Sequence, residues 1–440
     1  MDGETGARSV QLWSASVLQK VGLLVFSFSV GRAGGAEAVG VMAAVLALSW
    51  ILNTLVMMGQ PDRMVFAAAE AARTQTPLRE GGLHASTLLG LCLLTLGLLP
   101  LAPVMGGGSS QVMSGFAQCL VLGAGLQAMA APTFCVLRGQ GRPGWEVVGL
   151  IPMAAVLVGS WLVGKISTLG EVWVLASACQ LVVALLAARG TDGLWPSRPA
   201  GVTQVVRLGW PYLGFGAGAW LIGNVDLLMA RAWWSPLEVG ALQVGTMVLR
   251  AAASGAWVLA TLSLHRMGQA LPWRQMSVAW AVLALASVAG ILVGLPILAW
   301  GHQLDPAQLE PSTYMAAACA PATMAAMLVL PIGAARLLPC TLRYIALGLV
   351  VSVVAGAGLS QGLGVSGCVL AAGLGQLVTG VGVMLGLWTQ RGQVGPSAGV
   401  PGVGLGGLSG EGTPADELGA VESDQAADTG DELGRPSLRL

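Results

Sequence analysis

The chain has 440 residues, of which 55% are hydrophobic and only 10% are charged. A soluble domain carries about a quarter charged residues, so this composition excludes an ordinary water-soluble fold and favours membrane helices. The 21 basic and 21 acidic residues leave no net charge, which argues against a nucleic-acid partner held by a positive field.

The metal-ligating residues are dispersed along the chain. The seven cysteines lie mostly in apolar runs without a Cys-x-x-Cys pair, and the three histidines, His84, His265 and His302, lie in or near separate loops. The sequence therefore predicts neither a disulfide framework nor a metal site, and no cofactor.

Charge-free stretches give the number of membrane helices, because a crossing helix needs about 20 mainly apolar residues. Residues 81–137 and 344–390 are uncharged and each holds two helices, with turns at Gly106–Ser110 and near Gly362–Ser366. Single spans fit at 38–61, 147–164, 172–188, 275–304 and 311–335. Three more each contain one ion: 11–31 with Lys20, 209–230 with Asp226 and 239–262 with Arg250. The sequence thus predicts an all-α polytopic membrane protein with twelve spans.

The distribution of Lys and Arg predicts the orientation. In the twelve-span topology, 14 basic residues lie on the side of the termini, and three (Arg32, Lys165 and Arg231) lie on the other side. Basic residues in short loops stay in the cytoplasm. We therefore expect a multi-pass protein of the bacterial cytoplasmic (inner) membrane with both termini in the cytoplasm.

Three collinear matches, 195 to 200 residues apart, indicate an internal repeat. The motif Arg32-Ala33 followed by Val39-Gly40 recurs as Arg231-Ala232 followed by Val239-Gly240. The segments at 97–102 and 174–182 recur at 294–299 and 369–378. The matches join equivalent spans of two six-helix halves, the parallel repeat of transporters that bind substrate between their halves.

The repeat divides the chain into four parts. They are an N-terminal six-helix bundle at 1–189, a cytoplasmic linker at 190–208, a C-terminal six-helix bundle at 209–389 and a tail at 390–440. Residues 391–440 contain 12 Gly and 4 Pro, with eight acidic residues against three Arg. Such a composition predicts a disordered, acidic cytoplasmic tail, while the two bundles should surround a central cavity.

Polar residues within the spans are the candidate site. Lys20 and Arg250 lie near the middle of spans 1 and 8, where a charge costs roughly 2.5 to 3.5 kcal/mol unless it faces a cavity or a partner. The predicted substrate-binding residues are Lys20, Arg250, Gln243, Asn53 and Asn224. Two cations facing one cavity would suit an anionic cargo, most naturally a phosphate or pyrophosphate.

Other roles for these charges remain open. Lys20 could extend along span 1 to the cytoplasmic interface. Arg250 could be neutralised by Asp226, but Asp226 lies about six residues, or roughly 9 Å, closer to the outer end, so that direct pairing would need a tilt. Asp226 could otherwise bind a proton or cation as an ion-coupling site.

Three segments carry a family resemblance. They are Arg32-Ala-Gly-Gly-Ala-Glu-Ala-Val-Gly40 after span 1, Pro211 with Asn224-Val-Asp226 before Val239-Gly240, and Gly364-Val-Ser-Gly367 at span 12. The chain resembles the polysaccharide-exporter branch of the multidrug/oligosaccharidyl-lipid/polysaccharide (MOP) flippase superfamily. The resemblance implies alternating access that flips a lipid-linked oligosaccharide (a polyprenyl-pyrophosphate-linked repeat unit) for the biosynthesis of surface polysaccharide, either lipopolysaccharide or exopolysaccharide. Its implied partners are membrane lipids and polysaccharide polymerase or glycosyltransferase proteins.

Two other functions compete with this flippase. One is an ion-coupled drug/cation antiporter of the same fold, in which Asp226 binds the coupling ion. The other is a membrane enzyme, which usually needs a sizeable catalytic loop outside the membrane. The longest predicted outer loop, at about 301–312, has only His302, Asp305 and Glu310 as acidic or histidine residues that could serve in catalysis. No enzyme is therefore predicted.

Overall fold

The computed structural model describes residues 3–78, 80–106, 110–142, 144–194, 199–264 and 273–389, and the regular elements within these ranges are all helical. The α-helices are α1 Gly3–Met57, α2 Gln60–Thr74, α3 Gly81–Leu98, α4 Ala102–Gly106, α5 Gln111–Gly139, α6 Gly144–Gly159, α7 Ile166–Arg189, α8 Val202–Trp233, α9 Pro236–Leu264, α10 Trp273–His302, α11 Pro306–Leu363 and α12 Ser366–Thr389. Short 3-10 turns, Leu99–Leu101 and Ser160–Leu162, follow α3 and α6.

The helices confirm an all-α polytopic membrane protein. Ten described segments are long and apolar enough to cross a membrane. One of them, Val17–Met57, covers most of the first two predicted spans, 11–31 and 38–61, and α1 breaks between them at Gly35, whose φ is 67°. The eighth predicted span lies in α9, which is not among the ten. With α1 counted as two arms and α9 added, the described residues contain the twelve predicted spans.

Two turns fall where the sequence places them, and one helix was missed. The breaks between α4 and α5 and between α11 and α12 lie at the predicted turns. However, α2 occupies a stretch for which the sequence predicts mainly a loop. Met64 and Ala68, four residues apart on α2, are buried in a cluster with Leu78 and Leu194. A search for long apolar runs cannot find this helix, because only one face of it is apolar.

The predicted linker is shorter in the structure, and the predicted tail lies outside the described residues. Helix α8 begins at Val202, so the end of the predicted 190–208 linker is helical. The Ala200 backbone N–H donates to the Gly82 carbonyl over 3.0 Å, which ties the linker to the start of α3. Residues 195–198 and the predicted tail at 390–440 lie outside the described residues.

The N-terminal bundle is organised around Trp173 of α7. Its ring stacks on Phe26 of α1 with 5.2 Å between centroids, and its Nε1 donates to the Leu120 carbonyl of α5. Gly123 permits this contact, since a Cβ there would lie 2.3 Å from the indole. Close approach at small residues is a usual way for membrane helices to pack.

The C-terminal bundle repeats this arrangement. Gly123 packs against Ser177, and Cys319 and Gly373, each 196 residues further along, pack against each other between α11 and α12. In the N-terminal pair the glycine is on the first helix, whereas in the C-terminal pair it is on the second. Equivalent helices therefore pack at equivalent positions in the two halves, which agrees with the repeat in the sequence.

Helix α1 of the N-terminal bundle makes most of the contact with the C-terminal bundle. It packs mainly against α9, and also against α8 and α10. The end of the bundles that carries Gly35 and Gly40 is the predicted outer end, and the end that carries Gly59 is the predicted inner end. At the outer end, Ser27 Oγ of α1 and His302 Nε2 of α10 are hydrogen-bonded over 2.9 Å. Both side chains are buried, so this bond belongs to the interface between the bundles.

Candidate functional site

Lys20 lies on the face of α1 that points toward the C-terminal bundle. Lys20, Ser27 and Gly31 are spaced by seven and four residues and therefore share one face of the helix. Ser27 and Gly31 both contact His302 of α10. Lys20 is partly buried, and its ammonium lies within electrostatic reach of the Arg250 guanidinium. This position does not fit a side chain that extends to the cytoplasmic interface.

Arg250 of α9 is held by four oxygen atoms of the C-terminal bundle. One terminal nitrogen donates to Asp226 Oδ2 over 2.6 Å. The other donates to Asn224 Oδ1 over 2.7 Å and to the Gly223 carbonyl over 3.2 Å. The Nε atom donates to Thr246 Oγ1 one turn earlier on α9, over 3.2 Å. Bonds between a guanidinium and several fixed acceptors hold the charge in one place.

The direct ion pair corrects one expectation from the sequence. The depth difference between Asp226 and Arg250 suggested that they would not pair without a tilt, yet they form a salt bridge between α8 and α9. That estimate counted helical rise alone, and it ignored the reach of the long arginine side chain. Arg250 is therefore not a free cation but half of a neutralised pair.

Asn224 serves the same pair. Its Oδ1 accepts from Arg250 and its Nδ2 donates to the Trp220 carbonyl over 2.9 Å, so both ends of its amide are used inside the bundle. Gln243 lies seven residues before Arg250 on the same face of α9. Its Oε1 is buried and has no hydrogen-bond partner among the described residues.

Asn53 does not join this group. Its side chain is 1% exposed, and its Nδ2 donates to the Ala124 carbonyl of α5 over 3.4 Å, inside the N-terminal bundle. The structure thus brings together Lys20, Arg250, Asp226 and Asn224, and directs Asn53 elsewhere. Helical spacing shows which side chains share a face, but it does not show which neighbour that face meets.

With Lys20 protonated, the described ionisable groups of the site, Lys20, Arg250 and Asp226, carry one net positive charge. Lys20 comes from the N-terminal bundle, and the Arg250–Asp226 pair comes from the C-terminal bundle. Within the part of the chain that the structure describes, no hydrogen bond or ion pair to Lys20 is found. A buried cation without a counter-ion attracts an anion strongly, because the surrounding medium screens it poorly.

Sequence reasoning missed one contribution to the site and one salt bridge inside the N-terminal bundle. The Gly223 carbonyl that accepts from Arg250 is a backbone group, and no side-chain pattern identifies it. At the predicted inner end, Arg63 of α2 forms a two-pronged salt bridge with Glu80, with bonds of 2.6 and 2.9 Å. The stretch after span 2, in which charged and apolar residues are interspersed, was the sequence signal that could have indicated helix α2.

No family model matches the sequence, and no curated protein is similar to it at a significant level. Solved structures do match. An inward-facing MATE family multidrug resistance transporter of the MOP superfamily is 15% identical, with a TM-score of 0.60 over 87% of this chain and 98% of the other. The MATE multidrug transporter DinF-BH is 15% identical, with a TM-score of 0.63 over 89% and 96%. A mutant of the Vibrio cholerae MATE transporter VcmN is 14% identical, with a TM-score of 0.62 over 90% and 99%.

This chain has the MATE fold. The likeness extends over nearly the whole length of those transporters, which fits the two six-helix bundles. The first of these transporters belongs to the MOP superfamily, and the first two are multidrug transporters. The fold therefore agrees with the superfamily that the sequence resembles. The likeness does not extend to its polysaccharide-exporter branch.

Proposed function

We propose that this chain is a membrane transporter that opens a site between its two bundles alternately to the two sides of the membrane. The observation that carries the proposal is that Lys20 lies on the α1 face whose Ser27 and Gly31 contact α10, while Arg250 lies on α9, which packs against α1. Solved structures with this fold include an inward-facing and an outward-facing conformation of MATE transporters. Relative movement of the bundles would open and close the site.

Ion-coupled antiport of a drug or organic cation is the first candidate for the reaction. It is favoured by the multidrug transporters that share this fold. Asp226 is the coupling residue in this proposal. A proton or cation bound to Asp226 would neutralise its carboxylate and break its salt bridge with Arg250. The contacts between α8 and α9 would then differ between the loaded and unloaded states.

Flipping of a lipid-linked oligosaccharide is the second candidate, and Lys20 is the observation that favours it. With Lys20 protonated, the described site has one more cation than anions, and a pyrophosphate would supply negative charge to balance it. The lipid tail would stay in the bilayer while the sugar crossed between the bundles. In this candidate the protein lies in the inner membrane with both termini in the cytoplasm, and a polysaccharide polymerase or glycosyltransferase is its partner.

One reconstitution experiment separates the two candidates. The full chain is placed in vesicles with an imposed pH gradient, together with either a fluorescent organic cation or a polyprenyl-pyrophosphate-linked oligosaccharide. Movement of the dye is followed by fluorescence, and arrival of the sugar at the outer leaflet by an impermeant lectin. Dye movement that depends on the gradient supports antiport, and lectin binding supports flipping. Movement of neither cargo overturns both candidates.

Two variants sharpen the result. Asp226→Asn removes the coupling carboxylate, so antiport should be lost, whereas flipping should persist because the site becomes more positive. Lys20→Gln should abolish flipping and leave dye movement largely intact. Arg142→Gln is the matched control, since Arg142 is an exposed basic residue at the predicted inner end, far along the chain from the site. Rates are normalised to folded protein in the vesicles.

A further inference from the structure

The second arm of α1 touches α9 at its outer end through two glycines. A Cβ on Gly40 would lie 1.8 Å from the Pro236 carbonyl oxygen, and a Cβ on Gly240 would lie 1.9 Å from the Ala36 carbonyl oxygen. Each of these Cβ atoms would also lie 3.0 Å from the other glycine's nitrogen. The two residues are 200 positions apart and equivalent in the repeat. The contact is therefore symmetric, and it joins backbone to backbone.

The same arm touches the C-terminal bundle again where it ends. A Cβ on Gly209 of α8 would lie 1.9 Å from the Met58 carbonyl oxygen, and one on Gly59 would lie 2.5 Å from the Leu213 nitrogen. Beside this contact, Gln60 Nε2 donates to the Val205 carbonyl over 2.9 Å. Here too the helices approach so closely that no side chain fits between them.

The two contacts are separated by about the thickness of a membrane. Gly40 and Gly59 are 19 residues apart on one arm, which corresponds to about 28 Å, and the hydrocarbon core is about 30 Å thick. Arg250 lies ten residues, about 15 Å, along α9 from Gly240. The candidate site therefore lies between the two contacts in depth, with one contact toward each side of the membrane.

We propose that the Gly40–Gly240 contact and the packing of Met58 and Gly59 against Gly209 and Leu213 are the outer and inner gates of the transport cycle. This inference rests on the proposed transport function, because a cargo between the bundles can leave only where they separate. Glycine suits a gate for a physical reason. The outer contact is made by backbone atoms at two glycines and not by an ion pair of the described residues, and opening the outer end would also separate the hydrogen-bonded pairs Ser27–His302 and Arg231–Met105.

Hydrogen–deuterium exchange of the full chain in lipid nanodiscs tests the gates without any cargo. Gly40→Ala and Gly240→Ala each place a methyl group in the outer contact, and Gly209→Ala places one in the inner contact. Gly97→Ala is the matched control, since a Cβ there would meet no described atom within 4 Å. Peptides covering 32–40 and 232–240 report on the outer gate, and those covering 57–62 and 205–213 report on the inner gate.

We expect each gate variant to raise exchange at its own gate by about tenfold or more, which corresponds to 1.4 kcal/mol in opening free energy, and to leave the other gate unchanged or slower. Unchanged exchange at the altered gate, or an equal increase at both gates, overturns the proposal. If Gly40→Ala does not fold, Gly240→Ala tests the same contact. Failure of both cargo assays with the expected exchange pattern would instead count against the transport function.

Discussion

The guanidinium of Arg250 and the carboxylate of Asp226 form a salt bridge of 2.6 Å between α9 and α8, and both side chains are mostly buried. Asn224 and Thr246 complete the set of side chains that hold Arg250. The pair places a fixed positive and a fixed negative group beside Lys20 of the other bundle. If the proposed transport function is correct, the strength of this pair decides which charge a cargo meets, and that strength can be measured without a cargo.

Replacing Asp226 with Asn should destabilise the protein. The change leaves the Arg250 guanidinium buried without its counter-charge, which typically costs about 3 to 5 kcal/mol. Thermal unfolding of the purified variant in detergent measures the loss. The double variant Asp226→Asn with Arg250→Gln should recover most of it, since no unpaired charge remains. Purely additive losses in the double variant would show that the two side chains do not interact.

Replacing Lys20 with Gln should have the opposite effect on stability. Lys20 has no counter-ion among the described residues and lies near another cation, so its charge costs free energy in the folded protein. We expect the variant to unfold at a higher temperature, with a gain of about 1 kcal/mol or more. Lys20→Arg, which keeps the charge, is the control and should not gain. A variant that is less stable than the parent would mean that Lys20 has a stabilising partner.

The repeat-equivalent glutamines Gln180 and Gln376 should respond differently to the same substitution. Gln376 of α12 accepts from Thr323 Oγ1 and donates to the Ile222 carbonyl over 3.0 Å, so it links three helices. The Oε1 atom of Gln180 is buried and has no partner among the described residues. Gln376→Leu should therefore cost about 2 kcal/mol, and Gln180→Leu should be neutral or stabilising. Unfolding midpoints of the two variants provide the comparison, and equal losses would contradict it.

Removal of Arg63 should loosen the inner end of the N-terminal bundle. Arg63 and Glu80 are both mostly buried, at 13% and 11% side-chain exposure, and their salt bridge ties α2 to the start of α3. We expect Arg63→Ala to cost about 3 kcal/mol, because it leaves the Glu80 carboxylate without its partner. Limited proteolysis near residues 75–80 and the unfolding midpoint report the change. Arg142→Ala, at an exposed position with no ion pair in the described structure, should stay within about 0.5 kcal/mol of the parent.

The sequence predicted much of the fold. The number of spans, the turns at 106–110 and 362–366 and the two equivalent halves follow from apolar length and repetition. These features are predictable because the hydrocarbon core dictates helix length and requires every backbone polar group to be bonded within its own helix. The sequence did not predict the amphipathic helix α2, because α2 is not a membrane-crossing helix and so needs no long apolar run.

The sequence also singled out the charges of the site, since Lys20, Asp226 and Arg250 interrupt apolar spans and so cannot be placed without a cost. Only the tertiary structure decided that Asp226 pairs with Arg250, that Asn53 points into its own bundle, and that Gly40 meets Gly240. The reason is physical. Composition and periodicity fix a residue's depth and face on its own helix, but a partner is fixed by how separate helices rotate and slant against each other.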